Sequence, residues 1–261
     1  MKVVVTCYVF LMILCSWIVA WTLQTVFIVL SYPFSSVEFR QDVCGHIFRR
    51  VSFLFVDLLN PFWRVNILRP FPNVERNAKL IVMLNHLSNA DPWIAIRAIL
   101  PRDCKWICKG SLFRVPFGGW GLANNGDLAV HFTADKDGWG TKKGSVGKMM
   151  EQCKALLDRR QPIAVFPEGV RNPNPAGPVG EFKLGFFTLA AAEGATIVPI
   201  AMSGGESAWP RGDWKFGLCT TYISCGDPVE AKGLTAEELR DKVYASISSM
   251  RETHPDRKRN Q

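Results

Sequence analysis

From Val3 to Val37 the chain carries no Asp, Glu, Lys or Arg, and this stretch constrains everything that follows it. A helix that crosses a hydrocarbon core of about 30 Å needs about 20 apolar residues, so one span fits with length to spare for tilt or a fold-back. A cleaved signal peptide has a shorter apolar region, about 7–15 residues, and ends in a small-residue cleavage pattern. No short stretch before Pro33 ends that way, so residues 1–37 read as a retained transmembrane anchor. Lys2 precedes the stretch, whereas Arg40, Arg49 and Arg50 follow it. That bias places the remaining chain on the cytoplasmic side. The membrane would be the endoplasmic reticulum in a eukaryote and the cytoplasmic membrane in a bacterium.

Residues 47–66 mix Phe53, Phe55, Phe62 and Trp63 with Arg49, Arg50, Asp57 and Arg64. This run is too short and too charged for a second span. Residues 38–69 therefore read as an interfacial helical segment at the headgroup level, with a buried core helix as the other reading. The formal charge of +8, from 31 Lys+Arg against 23 Asp+Glu, suits anionic partners. Joined to the apolar stretch, it points to membrane lipids and not to nucleic acid. Part of the excess lies in a ragged basic tail, residues 255–261, with Arg257, Lys258 and Arg259. The eight cysteines form no CxxC pair, and Cys104 and Cys108 have no matching His or Cys downstream. A zinc site is not expected, and buried reduced thiols are.

Between these flanks, residues 70–254 read as a catalytic domain of the α/β class, a mostly parallel central sheet flanked by helices. Leu80 to Leu84, Ile163 to Phe166 and Thr196 to Ile200 are continuous apolar runs, as strands covered on both faces require. Val146, Met149, Met150, Cys153, Leu156 and Leu157 recur at helical spacing. Thr235, followed three residues later by Glu238, starts a helix with apolar positions Leu239, Val243, Ile247 and Met250.

Ligands of open α/β sheets bind beyond the carboxyl ends of the strands. Asn85-His86 follows the first run, Pro167-Glu168-Gly169 the second and Ser203-Gly204-Gly205 the third. A histidine at a strand exit with a carboxylate five residues on, His86 and Asp91, suits general-base activation of a substrate hydroxyl, with Asp91 fixing the imidazole tautomer. The plainer reading is a loop histidine, with Asp91 capping a helix that has Pro92 at its first position.

The segment Asn85-His86-Leu87-Ser88-Asn89-Ala90-Asp91 resembles the first motif of the glycerolipid acyltransferases, which include the lysophosphatidic acid and glycerol-3-phosphate acyltransferases. Three further segments resemble later motifs of that family in the same order: Lys109 to Trp120, Val165 to Asn172 and Ile197 to Ile200. The resemblance implies acyl transfer from an acyl-thioester, with acyl-CoA as co-substrate, to lysophosphatidic acid or another acceptor. It implies no metal or redox cofactor. It gives His86 the role of general base and Asp91 that of its orienter, and associates Glu168, Gly169 and Arg171 with the phosphorylated acceptor.

Read physically, Gly169 permits close backbone approach and Arg171 offers a planar fork to phosphate. Glu168 would repel a phosphate unless it bonds a hydroxyl or a cation. Lys109 and Lys183 are further candidate phosphate contacts, although Lys183 suits an exposed helix residue equally well. Phe113, Pro116, Phe117 and Trp120 either line an acyl tunnel, dip into the interface or pack the core. His131 reads as a structural loop residue. Many relatives carry an arginine just after the second motif, but here none occurs between Arg114 and Arg159. Phosphate binding then falls to Arg171 with Lys109, Lys136, Lys142, Lys143 or Lys183, or the headgroup is a different one. A catalytically silent lipid-binding membrane protein is the reading from a different class.

Overall fold

The computed structural model describes residues 1–135, 138–141 and 144–258, so Lys136, Lys142, Lys143 and the end of the basic tail lie outside the described residues. Helix α1 (Lys2–Ser31) leads to α2 (Val37–Ser52), one π-helical turn and strand β1 (Trp63–Arg69). Then come β2 (Leu80–Leu84), α3 (Asp91–Ile99), β3 (Lys105–Lys109), α4 (Gly118–Asn124) and β4 (Leu128–Val130). A hairpin of β5 (Phe132–Asp135) and β6 (Gly138–Thr141) precedes α5 (Ser145–Asp158), β7 (Ile163–Val165), α6 (Gly185–Glu193) and β8 (Thr196–Ser203). Strands β9 (Cys219–Cys225) and β10 (Val229–Glu230), helix α7 (Ala236–Glu252) and the single turn α8 (Pro255–Lys258) complete the chain.

The main sheet has the order β1-β9-β8-β2-β7-β3-β4, with β10 added beside β8. Strand β2 runs parallel to both β7 and β8, and within this sheet the β8–β9 and β8–β10 pairs are antiparallel. Alternation along the central strands divides the core in two, as the two-residue period of a strand dictates. Leu80, Val82 and Leu84 pack with Ile94 of α3 and with Val5, Val9 and Ile13 of α1. Ile81 and Met83 face the other way, onto Leu157 of α5, Phe187 of α6 and Val243 of α7. Thr235 accepts from the Glu238 backbone while Glu238 returns a carboxylate to Thr235, so the expected start of α7 is present.

The N-terminal helix packs one stripe against the domain. Its length and composition do suit a membrane span, but it lies along the domain and does not project from it. Val5, Thr6, Val9, Ile13, Ser16, Ala20 and Gln24 form its buried stripe. Three of these are polar, and the partners of two explain why they face protein. Thr6 Oγ1 accepts from the Phe216 backbone at 3.1 Å, and Gln24 Nε2 donates to Asn125 Oδ1 at 2.7 Å. Outside that stripe Phe10, Leu14, Ile18, Leu23, Val26 and Leu30 are exposed.

The segment expected to be an interfacial helix is part of the domain. Its last residues, from Trp63, form a strand paired with β9, because Trp63 and Val65 alternate inward while Arg64 and Asn66 point out. Its charges are used internally. Arg97 grips the buried Asp57, with Nε donating at 2.8 Å. Arg49 of α2 donates to both oxygens of Asp127, at 2.6 and 2.8 Å. Asp103 lies 3.7 Å from Arg49 and accepts from the fully buried Lys105 at 2.7 Å. Asn125 joins this cluster to Gln24 by donating to Asp127 at 3.1 Å. One buried polar network thus ties α1 and α2 to the sheet. The basic tail is not loose at its start either, since Arg257 bonds the carbonyls of Ala176 and Pro175.

Removing one member of a buried ion cluster strands the remaining charges, at a typical cost of about 3–5 kcal/mol. Arg49→Met should therefore lower the thermal midpoint in detergent sharply. Arg50→Met, at an exposed position, should leave it nearly unchanged.

Candidate active site

The carboxyl ends of β2, β7, β8 and β3 lie along one edge of the sheet, and the predicted residues gather there. Asn85 extends the β2–β8 pairing by one step with its side chain. Its Oδ1 accepts from Met202 N at 2.7 Å, and its Nδ2 donates to Met202 O at 3.0 Å. This fixes the point at which the chain leaves the sheet, one residue before His86.

Helix α3 begins at Asp91 with Pro92 in its first turn, but the Asp91 carboxylate does not cap that helix. It turns back into the loop. Asp91 Oδ2 accepts from His86 Nδ1–H at 2.7 Å, from Leu87 N at 2.6 Å and from Ser88 N at 2.8 Å. An ionised carboxylate only accepts, so the His86 proton resides on Nδ1 and Nε2 is left to take a proton from a substrate. Asp91 is wholly buried, whereas the His86 side chain keeps 18% of its surface exposed. Proton transfer at a surface-facing nitrogen needs that division.

A stacked ring and two backbone bonds hold His86 further. It stacks on Phe166 with centroids 4.0 Å apart and planes at 14°. Its backbone N–H donates to Glu168 Oε1 at 2.7 Å, and its carbonyl accepts from Asn172 N at 2.8 Å. Glu168 is therefore buried against the backbone of His86, a positioning contact that spacing along the sequence does not reveal. Burial pushes its carboxyl up to about 7, against the opposing pull of the hydrogen bond from His86, of His86 itself and of the Gly180 backbone. A Cβ on Gly180 would stand 2.3 Å from Glu168 Oε2, so a larger residue there would displace that carboxylate.

Gly169 has φ of 71°, a conformation suited to glycine, and the Lys183 side chain crosses it with Nζ 3.3 Å from where a Cβ would be. The structure thus brings Gly169 and Lys183 together, with Lys183 exposed. Arg171 is half-buried. Burial and the neighbouring Arg211 both lower its affinity for the proton, and the Asp91 charge acts the other way. Arg211, which sequence reasoning missed, donates to the Arg171 carbonyl at 3.1 Å. It comes from the loop after β8, forty positions along the chain, and only the fold places it here. Lys109 ends β3 at the same edge. His131 packs over Gly110 and donates its backbone N–H to Ser145, as a loop residue would. Phe117 and Trp120 pack around Trp21 of α1, with centroids 5.4 and 5.5 Å from it, and Trp120 remains partly exposed.

The Glu168 shift has a consequence for stability. Its folded value of about 7 lies above the ordinary 4.5, so the folded state binds the proton more tightly than the unfolded chain does. The contribution is fully present below the unfolded value and is lost as pH rises through the folded one. Glu168→Gln should flatten the rise in thermal midpoint that the wild type shows on acidification from pH 7 towards 4.5.

The acyltransferase family model matches residues 68–203. The human 1-acyl-sn-glycerol-3-phosphate acyltransferase alpha is 31% identical over 180 residues, which is 67% of this chain and 60% of the human one. A 1-acyl-sn-glycerol-3-phosphate acyltransferase of Chlamydomonas reinhardtii is 29% identical over 63% of this chain and 48% of its own length. The corresponding Helicobacter pylori protein is 36% identical over 49% of each chain. The chain thus spans less than two-thirds of these relatives. The crystal structure of the 1-acyl-sn-glycerophosphate acyltransferase PlsC of Thermotoga maritima has the same fold, with a TM-score of 0.61 at 22% identity over 89% of this chain and 93% of that one. The family match covers more than half of the chain and contains both members of the His86–Asp91 pair, so this chain belongs to the acyltransferase family.

Proposed function

We propose that the chain is a 1-acylglycerol-3-phosphate O-acyltransferase, which transfers an acyl group from acyl-CoA to lysophosphatidic acid at a membrane surface. The observation that carries this reading is His86 held by Asp91 and still partly exposed, with Arg171 close enough to feel the Asp91 charge and Arg211 bonded to the Arg171 carbonyl. His86 Nε2 takes the proton of the acceptor hydroxyl as its oxygen attacks the thioester carbonyl. The tetrahedral adduct then collapses, the carbon–sulfur bond breaks, and the imidazolium returns the proton to the departing thiolate. Asp91 stabilises the imidazolium between these steps. The chemistry assigns no role to a metal or redox group.

Arg171 and Arg211, with Lys183 beside Gly169 and Lys109 at the end of β3, form the cationic side on which the acceptor phosphate would rest. Arg211 supplies the guanidinium that the sequence lacks after its second motif. An apolar groove of about 260 Å³ suits a lipid tail, with Phe10, Leu14 and Trp17 of α1 facing Trp93 and Trp209. It runs close to the dyad, because Trp93 is two residues past Asp91 and the Trp209 carbonyl accepts from Ser88 Oγ at 3.3 Å. We read the exposed flank of α1 as the lipid-facing surface, with the domain on the cytoplasmic side.

With labelled acyl-CoA and lysophosphatidate, the purified chain should form phosphatidate. His86→Ala should abolish turnover, and Asp91→Asn should reduce it roughly 10⁴-fold, as when the orienting carboxylate of a Ser-His-Asp triad is neutralised. Activity retained in His86→Ala would sink the mechanism. In the same assay Arg171→Ala and Arg211→Ala should each raise KM for lysophosphatidate about tenfold, the loss expected for one charge-assisted hydrogen bond. Their KM for acyl-CoA should barely move. A preference for acceptors without a phosphomonoester, unaffected by either substitution, would reassign the headgroup.

A further inference from the structure

The segment from Arg251 to Arg257 lies beyond the residues that the family model matches, yet it holds a dense set of buried polar contacts. His254 is wholly buried, with Nδ1 2.8 Å from Ser203 Oγ and Nε2 2.9 Å from Ser224 Oγ. Ser203 Oγ also lies 2.7 Å from Asp256 Oδ1. One assignment of protons satisfies all four groups. The Asp256 carboxylate only accepts, so Ser203 gives it its single hydroxyl hydrogen and accepts from His254 Nδ1–H. Nε2 is then bare and accepts from the Ser224 hydroxyl. A neutral imidazole fits this arrangement, and burial, opposed by Asp256, favours that form.

The chain of contacts reaches the dyad by two routes. Ser203 ends β8 and sets the Gly204–Gly205 turn. Gly204 has φ of 77°, and a Cβ on it would strike the Thr220 carbonyl at 2.2 Å. A Cβ on Gly205 would lie 3.5 Å from Asp91 Oδ1. That oxygen is buried and has no hydrogen-bond partner among the described residues, so the turn is what packs against it. The second route runs through the loop of residues 172–180. Arg251 donates to the carbonyls of Gly177, at 2.6 Å, and Pro175, while Arg257 bonds those of Ala176 and Pro175. This loop starts at Asn172, which holds the His86 carbonyl, and ends at Gly180, which adjoins Glu168.

We propose that this C-terminal segment is a clasp that positions the dyad, with His254 as the positioning residue that fixes the turn against Asp91 and the neighbouring arginines fixing the loop against His86. The role rests on the acyltransferase reading above. An apolar side chain would fill the same space without aligning anything. A donor and an acceptor on one rigid ring fix the ends of β8 and β9 relative to each other and to α8.

The test compares His254→Ala and His254→Gln with wild type, with kcat expressed per folded molecule. Misplacing a reacting group by about 1 Å costs up to about 100-fold, so His254→Ala should lose roughly 10–100-fold in kcat. KM for acyl-CoA should change little, and the amide of His254→Gln, with its own donor and acceptor, should restore part of the loss. Hydrogen exchange in the resting protein should quicken at Leu87, Ser88 and Asn172 in His254→Ala and less so in His254→Gln. A lowered thermal midpoint with unchanged kcat per folded molecule and unchanged exchange at these amides would overturn the clasp. If His254→Ala does not fold, Asp256→Ala, which removes the acceptor of the Ser203 hydroxyl at a half-buried position, carries the same comparison. An inactive wild type would count against the proposed reaction alone, because the exchange measurement needs no substrate.

Discussion

The site depends on one oxygen. Asp91 Oδ2 accepts from His86 Nδ1 and from the backbone N–H groups of Leu87 and Ser88, so the whole loop from strand to helix closes on a single carboxylate. A wholly buried carboxylate is unfavourable unless hydrogen bonds compensate for its lost hydration. Here the compensating donors are the groups whose positions matter for chemistry. The loop cannot relax without uncovering the charge, and the imidazole cannot rotate without losing its partner. Glu168 and Asn172 complete the arrangement from the opposite side by holding the His86 N–H and carbonyl. The loop after β7 therefore fixes the backbone of His86, while the loop of His86 itself fixes the ring.

The N-terminal helix extends the same logic to the membrane. Its apolar composition alone describes a span, but Thr6, Ser16 and Gln24 fall on one stripe and that stripe is buried against the domain. A helix bonded through Gln24, Asn125, Asp127 and Arg49 to the sheet is held at a defined height and rotation. Its exposed flank and the groove toward Trp93 and Trp209 are then fixed relative to His86. The exposed apolar flank of α1 and the geometry around His86 thus belong to one packed unit.

What could be read from the sequence was what short-range rules encode. The strands at Leu80, Ile163 and Thr196 announce themselves by continuous apolar runs, the α7 start by its capping box, and the dyad by five-residue spacing at a strand exit. What escaped depends on contacts far apart along the chain. Arg49 and Asp57 read as interfacial charges because nothing local shows that Asp127 and Arg97 will meet them. β1 is an edge strand whose partner, β9, lies about 150 residues away and supplies the pairing that its own composition does not predict. Arg211 and His254 sit in stretches with no motif, and they acquire their roles only when the fold brings β8, β9 and the C-terminal turn together.

The same distance effect resolves the difficulty with Glu168. A carboxylate beside the seat of an anionic phosphate should repel it, which made the residue hard to explain from sequence. The fold turns Glu168 inward, so that its oxygens meet the backbone of His86 and Gly180, and burial raises its carboxyl to about 7. Much of its charge is thus withheld near neutral pH. An anion arriving beside Arg171 would favour the protonated form further, because two negative charges in one low-dielectric site oppose each other. Glu168 therefore supports the His86 loop from within, and would oppose an anion at Arg171 less than a fully charged carboxylate would. The cationic character of Arg171 and Arg211 is left largely uncancelled on the face where the acceptor would bind.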